Sequence, residues 1–314
     1  MGTTWKIKFI PKNINKNKLI QEIKKQINKD NNTLSFWEKN SEISKFNNYN
    51  STTPKHISKN LAQVISTALI VGKKTFNSLD ITIGKLINLW GFGPNSVLFH
   101  IPNNNDIKHA LFSTGLKKIQ LIKKNKNYYL KKKIKTITLD LSTLGEGFIA
   151  DHLGELLKKR GVKDFIISVG GAIVSHIGND LSKPKIIAIQ KPIDTTLKIH
   201  MLVKLYNHSI STSGTYRNYY YLNKKKITHL INPNTGKPIE NNLVSVSVIS
   251  KSALESDAWD TGLIILGFER AKNLAVKEKL AVCLIRQYKS TLFTWISPRF
   301  HDFLIKNLFH LMKL

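Results

Sequence analysis

The chain has 314 residues, 41% of them hydrophobic and 22% charged, which suits a globular protein with a sizeable core and excludes a disordered one. Cys283 is the only cysteine, so an intrachain disulfide and a cysteine-rich metal site are excluded, and no apolar run reaches the roughly 18 residues needed to span a bilayer. The formal net charge of +29 would attract polyanions. The excess is mostly lysine, however, travelling with asparagine and isoleucine as in "KNINKNKLIQEIKKQINKDNN", so a compositional bias spread over the solvated surface explains it more simply than a nucleic-acid partner does.

In chain order, "TWKIKFI" alternates and predicts a strand. Residues 17 to 29 place Leu19, Ile20, Ile23 and Ile27 on one helical face. The first thirty residues lack the apolar core of a signal peptide, so an export signal is expected to be absent or already removed. "HISKNLAQVISTALIVG" reads as an apolar helix. "SLDITIGKLINLWGFGPNS", rich in glycine and aromatics, reads more as loop, and a helix near 106–113 follows. "IKTITLDLS" reads as a strand running into the helix "GFIADHLGELLKKRG", which a glycine stops. "DFIISVGGAIV" reads as a strand ending in Gly-Gly, and "KIIAIQKP" and "IHMLVKLY" as two more. "STSGTYRNYYY", "KKITHLINPNTGKPIE" and "VSVSVIS" suggest an antiparallel group with a turn at Asn234–Gly236. Two helices near 253–265 and 268–278, strands "LAVCLIR" and "LFTWIS", and a terminal helix from about 300 complete the chain. Cys283 then sits in a buried strand as a packed thiol. Strands and helices mix without strict alternation, and no repeat or linker divides them. The expectation is one α+β domain over residues 1–314, with mixed, largely antiparallel sheets and packed helices.

Three stretches could carry chemistry. In "ALESDAWDTGL", Asp257, Asp260 and Thr261 stand at i, i+3 and i+4 of a helix and so point to one side. Two carboxylates and a hydroxyl sharing a face suit a hard cation such as Mg2+, or they simply favour the first turns of a helix through its dipole. In "DLSTLGEG", Gly145 and Gly147 at a strand-to-helix joint would expose backbone N–H groups to phosphate. Thr143 could give oxygen to a metal and Asp140 could accept from a ligand; an ordinary turn with Glu146 in the first helical turn is the plainer alternative. In "STSGTYRNYY" and "THLINPNTGKPI", small residues allow close approach to a ligand, and His229 could serve as a base or as a satisfied structural residue. Trp37, in a loop, could stack on a flat ring or belong to the core.

Taken in order, "MGTTWKIKF", "SEISKFN", "SLDITIGKLINLWGFGP", "DLSTLGEGFIADHL", "SVGGAI", "AIQKP", "STSGTYRNYY", "THLINPNTGKPIE", "NNLVSVSVIS", "ESDAWDTGL" and "TWISP" resemble the FAD:protein FMN transferase (ApbE) family over nearly the whole chain. "DLSTLGEG" and "DAWDTG" resemble its proteobacterial branch. The resemblance implies an enzyme that binds FAD and Mg2+, cleaves the pyrophosphate, attaches FMN to a threonine of a target protein and releases AMP. It implies acceptors among subunits of membrane electron-transfer complexes, such as the sodium-pumping quinone reductase, and a location on the periplasmic side of the bacterial inner membrane. By position, it makes Thr143, Asp257, Asp260 and Thr261 the metal ligands, with Asp257 also counted as catalytic. Met1, Trp37, Ser78, Leu79, Asp80, Asp140, Glu146 and Ile231 would contact FAD. His229 is the residue expected to help deprotonate the acceptor threonine.

Three departures from the family pattern stand out. Asn232 replaces the usual aspartate, which would orient or charge the His229 imidazole, whereas asparagine can only hydrogen-bond it. Trp37 replaces a frequent tyrosine. The family's usual export signal and lipid-anchor cysteine precede the "MGTT" segment, with which this chain begins, so any membrane contact would be indirect or through that anchor. A FAD pyrophosphatase, a flavin carrier without chemistry and a basic polyanion-binding protein are the competing readings.

Overall fold

The computed structural model describes residues 3–10, 14–94, 101–193 and 198–305. Met1 lies outside these residues. Seven strands build the central sheet in the spatial order Trp5–Phe9, Phe165–Val169, Ala172–His176, Ser209–Gly214, Leu243–Ser250, Ala281–Tyr288 and Thr291–Ile296, and every pairing in it is antiparallel.

The two-residue period of the inner strands decides what covers each face. Val246 and Val248 join Val282 and Leu284 beneath the helices, in a core shared with Leu254, Ala258 and Leu263. Ile249, Ile210, Ala281, Cys283 and Ile285 face the other way, where the hairpin Lys185–Gln190 and Ile199–Leu205 and the turn Pro298–Phe303 cover them. The Cys283 thiol is packed in this second core, and burial pushes its pKa up to about 12. Register also matters for the polar residues. Ser213 pairs with Val246 and Ser211 with Val248, so both serines look toward the helical face.

The helix Ala253–Leu266 lies on that face. Every residue of it except Glu255 is buried, as expected for a helix apolar on most sides. Ser252 caps it by accepting from Glu255 N. The Asp151 carboxylate accepts from Ala253 N at 2.8 Å, Leu254 N at 3.0 Å and Ser252 Oγ at 2.7 Å. Asp151 belongs to the helix Ser142–Lys159, so a negative side chain on one helix seats the positive N-terminus of the next. Gly267, at φ +85°, ends the buried helix. A smaller apolar cluster of Leu86, Ile87, Trp90, Ile107, Ala110, Ile227 and Ile231 binds the helices Gly84–Leu89 and Asn104–Phe112 to the strands around residues 219–238.

The architecture is α+β, with mostly antiparallel sheets and packed helices, as the sequence predicts. Four local expectations change. Residues 134–142 form no regular strand, only a parallel bridge of Thr138 to Ile83. The backbone there is satisfied by a side chain instead: Asn47 Nδ2 donates to Leu139 O and Asn47 Oδ1 accepts from Leu139 N, both at 2.8 Å. "SVGGAIV" is a hairpin whose turn uses Gly170 at φ +52°. The loop reading of "SLDITIGKLINL" misses the helix Gly84–Leu89. The terminal helix is a single 3-10 segment, Pro298–Phe303, and the rest of that expectation lies outside the described residues.

Candidate active site

The helix Ser142–Lys159 begins earlier than the glycines suggest, so Gly145 and Gly147 lie inside its first turns. A Cβ on Gly147 would stand 2.3 Å from the Ala253 carbonyl oxygen. The missing side chain is therefore a packing requirement that brings two helices into backbone contact. The Gly147 N–H is also not open to phosphate, since it donates to Asp257 Oδ2 at 2.9 Å.

This contact assembles one oxygen cluster from three elements. The buried helix supplies Asp257, Asp260 and Thr261. The first turn of the other helix supplies Thr143, whose hydroxyl lies 2.5 Å from that of Thr261. The strand Ser209–Gly214 supplies two hydroxyls. Ser211 Oγ donates to Asp257 Oδ1 at 3.1 Å and Ser213 Oγ to Asp260 Oδ1 at 2.9 Å. Thr261 Oγ1 donates to Asp260 Oδ1 at 3.2 Å and lies 3.0 Å from Ser213 Oγ.

Every hydrogen bond given to the two carboxylates here comes from a neutral group, and both are buried. Burial raises the Asp257 carboxyl well above the carboxylate range, with repulsion from Asp260 and Glu146 adding to it. Burial likewise raises Asp260, to about 8, against the lowering effect of its hydroxyl partners. Asp260 Oδ2 has no hydrogen-bond partner. A buried carboxylate pair with a spare oxygen is a donor set in search of a cation. Among the described residues no three His, Cys, Asp or Glu side chains could hold a metal by themselves. Mg2+ does not require that many, because it typically takes one or two carboxylates and completes its octahedron with water and substrate oxygens. The oxygen-only set thus fits a hard divalent ion.

The other expected site residues surround this cluster to different extents. Glu146 accepts from Gly171 N at 2.7 Å, so the Gly170–Gly171 turn seats its carboxylate. A Cβ on Gly170 would stand 2.0 Å from Glu146 Oε1. Asp140 accepts from Ser142 N at 2.8 Å and Ser142 Oγ at 2.6 Å, which fixes the start of the helix that carries Thr143, and burial raises its carboxyl. Ser78, Leu79 and Asp80 form a buried segment joined to Asp140, because Asp140 N donates to Ile81 O at 2.8 Å. Asp80 accepts from Thr82 N at 2.7 Å and Thr82 Oγ1 at 2.5 Å, and burial lifts its pKa to about 6.

Trp37 is 51% exposed, in the turn after the helix Lys16–Leu34, and so is no core residue. Ile231 is buried in the small apolar cluster. Among the described residues no side-chain hydrogen bond joins Trp37, Ile231 or His229 to the carboxylates.

His229 is half-buried, with Nδ1 2.9 Å from the Asn218 carbonyl oxygen. A carbonyl only accepts, so Nδ1 carries the proton and Nε2 keeps its lone pair. Burial lowers the imidazole pKa and favours the neutral form. Asn232, which stands where the family pattern has aspartate, has its side-chain oxygen turned to the local backbone: Asn232 Oδ1 accepts from Asn234 N at 2.9 Å and closes a turn.

Sequence reasoning missed three residues of the site. Ser211 and Ser213 carry a signal, because alternation in a strand puts both on one face. Asp151 had a signal too: an acid in a helix segment otherwise lined by Phe148, Ile149, Ala150 and Leu153, all buried.

The sequence profile of the ApbE family matches residues 1–284. The chain belongs to the ApbE family. A relative named FAD:protein FMN transferase from Buchnera aphidicola subsp. Baizongia pistaciae is 56% identical over 307 residues, covering 98% of this chain and 90% of the relative. One of the same name from Escherichia coli strain K12 is 42% identical over 306 residues, covering 97% of this chain and 87% of its own. The solved flavin transferase ApbE from Vibrio cholerae superposes with a TM-score of 0.87 at 32% identity, covering 97% of this chain and 96% of that one. The ApbE fold is therefore shared along nearly the whole chain.

Proposed function

We propose that this chain is a FAD:protein FMN transferase that uses Mg2+, moves FMN from FAD to a threonine hydroxyl of an acceptor protein and releases AMP. Membership of the ApbE family and the names of its relatives support the transferase activity. The observation that carries the chemistry is the buried pair Asp257 and Asp260, held only by neutral donors and with Asp260 Oδ2 unpartnered.

Asp257, Asp260, Thr261 and Thr143 are the residues that would hold the ion. Once bound, Mg2+ would neutralise charge on the diphosphate and on the departing AMP. The protein's own groups do the rest. Gly147 N and Ser211 Oγ fix the Asp257 carboxylate from two directions, and Ser213 and Thr261 fix Asp260, so little reorganisation is needed when substrate arrives. Asp140, Glu146, Ser78, Leu79, Asp80 and Ile231 are the candidates for binding FAD. The exposed Trp37 face is suited to stacking on a ring of the dinucleotide.

In the transfer, the acceptor threonine oxygen forms a bond to the FMN-side phosphorus and the bond from that phosphorus to the bridging oxygen breaks. The bridging oxygen leaves with AMP. The hydroxyl proton goes to a base, and neutral His229, with Nε2 free to accept, is the candidate for that role. The chemistry of the acceptor follows the resemblance: a flavoprotein subunit of a membrane electron-transfer complex, met on the periplasmic side of the inner membrane. Among the described residues no helix of this chain is long and apolar enough to cross a membrane.

The test is to incubate the protein with FAD, Mg2+ and a candidate acceptor domain, with and without chelator, and to look for flavin fluorescence on a denaturing gel together with AMP in solution. Chelator-sensitive fluorescence on the acceptor is the expected result. Free FMN and AMP with no labelled acceptor would make the protein a pyrophosphatase, and no AMP at all would make it a carrier.

A further inference from the structure

The carboxylate-bearing helix has a notch directly after Thr261. A Cβ on Gly262 would stand 2.7 Å from Thr75 Cγ2 and 3.2 Å from Thr75 Oγ1, so the bare Cα allows Thr75 to press against this turn of the helix. Thr75 is completely buried and caps the end of the helix Lys59–Lys74. Its hydroxyl donates to Val71 O at 2.9 Å and accepts from Leu79 N at 3.2 Å, while its carbonyl accepts from Ser78 N at 2.9 Å. Two of the three amides from Ser78 to Asp80 therefore end on one threonine.

The same turn carries unusual backbone. Phe76 and Asn77 are consecutive non-glycine residues in the left-handed region, at φ 55° and 62°. Asn77 N donates to Gly72 O at 2.7 Å, and a Cβ on Gly72 would stand 2.6 Å from Leu79 O. Such conformations persist where the surroundings over-determine them, and they gather at ligand sites. Here they reverse the chain within two residues and deliver Ser78 to Asp80 next to the extended segment of Asp140, whose N–H donates to Ile81 O.

We propose that Thr75 is a positioning residue that registers the Ser78–Asp80 segment against the carboxylate helix through the notch at Gly262. The segment that receives the dinucleotide and the side chains that meet its diphosphate then keep one spacing. This rests on the reading that Ser78–Asp80 contacts FAD.

The test uses the full chain and FAD in the presence of chelator, with affinity read from flavin fluorescence and folding from thermal melts. Thr75→Val keeps the shape but leaves the Leu79 N–H buried without its acceptor, and is expected to raise the FAD dissociation constant about tenfold. Thr75→Ser keeps the hydroxyl and should stay near the parent value. Gly262→Ala pushes on Thr75 Cγ2 and should weaken FAD binding; adding Thr75→Ser, which removes that methyl, should recover part of the loss, a coupling that independent sites do not show. In turnover assays Thr75→Val should raise KM for FAD more than it lowers kcat.

A Thr75→Val protein that melts earlier but binds FAD unchanged would overturn the proposal and leave Thr75 a structural residue. So would simple additivity of Gly262→Ala and Thr75→Ser, which also decides the matter if Thr75→Val does not fold. Hydrogen exchange of the 78–80 amides separates the two levels. If FAD does not slow it in the parent protein, the assignment of the segment falls and the proposal with it. If FAD slows it and the variants bind normally, only the coupling falls.

Discussion

Asp260→Asn should make the metal-free protein more stable while abolishing its response to Mg2+. The fold holds the Asp260 carboxyl at a pKa of about 8, because burial disfavours the charged form. Against an ordinary value of 3.8, that gap corresponds at pH 7 to about 4 kcal/mol of destabilisation. An asparagine keeps the oxygen that accepts from Ser213 and Thr261 and removes the charge. Its new NH2 must find a partner where Oδ2 had none, which takes back about 1–3 kcal/mol. The net gain is about 1–3 kcal/mol, or about 2–5 °C in Tm for a chain of this size. The sign with pH follows from a raised acid pKa: the stability that the protonated Asp260 carboxyl contributes is fully present below about pH 4 and is lost as pH climbs through about 8. Metal-free parent protein should therefore lose stability relative to Asp260→Asn across that window. A bound Mg2+ would take the place of the proton, so its protection of the parent should grow toward pH 8 and be missing in the variant. Thermal melts at pH 5, 7 and 8, with chelator and with Mg2+, measure all of this. A variant that melts at or below the parent at pH 8 in chelator, or that Mg2+ protects equally, would refute the reasoning.

Gly147→Ala should cost about 3 kcal/mol or more in urea unfolding, since its Cβ would meet the Ala253 carbonyl at 2.3 Å with no flexible side chain to yield; unchanged stability would mean the two helices can part freely. Trp37→Ala should weaken FAD binding by about 1–3 kcal/mol, as loss of a stacking platform does, with the melting temperature unmoved because the ring is half exposed; equal affinity by fluorescence titration would remove Trp37 from the site. His229→Gln should lower kcat by about 10²–10⁴ with FAD affinity retained. In the parent protein the acidic limb of the kcat–pH profile should lie below the ordinary imidazole value, because burial lowers the His229 pKa; a profile unchanged in the variant would assign the base elsewhere.

The parts of the site within one element were legible in the sequence. Helical spacing alone put Asp257, Asp260 and Thr261 on one side, and strand alternation already contained the facing of Ser211 and Ser213. What spacing could not show is which distant element meets which. Thr143 and Thr261 are separated by 118 positions, and Gly147 and Asp257 by 110. The misread strand at 134–142 has a related cause. Its pattern is that of a strand, but Asn47, 92 positions away from Leu139, supplies the hydrogen bonds a neighbouring strand would have given. The glycines mislead in the same way: the sequence suggests an open N–H at Gly147, whereas its role depends on a carbonyl of another helix.

Asn232 shows how a departure from a family pattern is weighed by geometry. An aspartate at that position would matter to catalysis if it faced the imidazole. Here the ring takes its orientation from the Asn218 carbonyl, and Asn232 spends its side-chain oxygen on the turn toward Gly236. The backbone bond keeps His229 in the tautomer with Nε2 unprotonated without placing a negative charge beside it, so its pKa is lowered by burial with no carboxylate to raise it. A neutral base of lowered pKa is weaker but stays deprotonated over a wider range of pH. Asn232→Asp should therefore leave the Asn218 hydrogen bond in place and shift the acidic limb of the kcat–pH profile only slightly; a shift of a full pH unit upward would mean that the carboxylate does reach the ring during turnover.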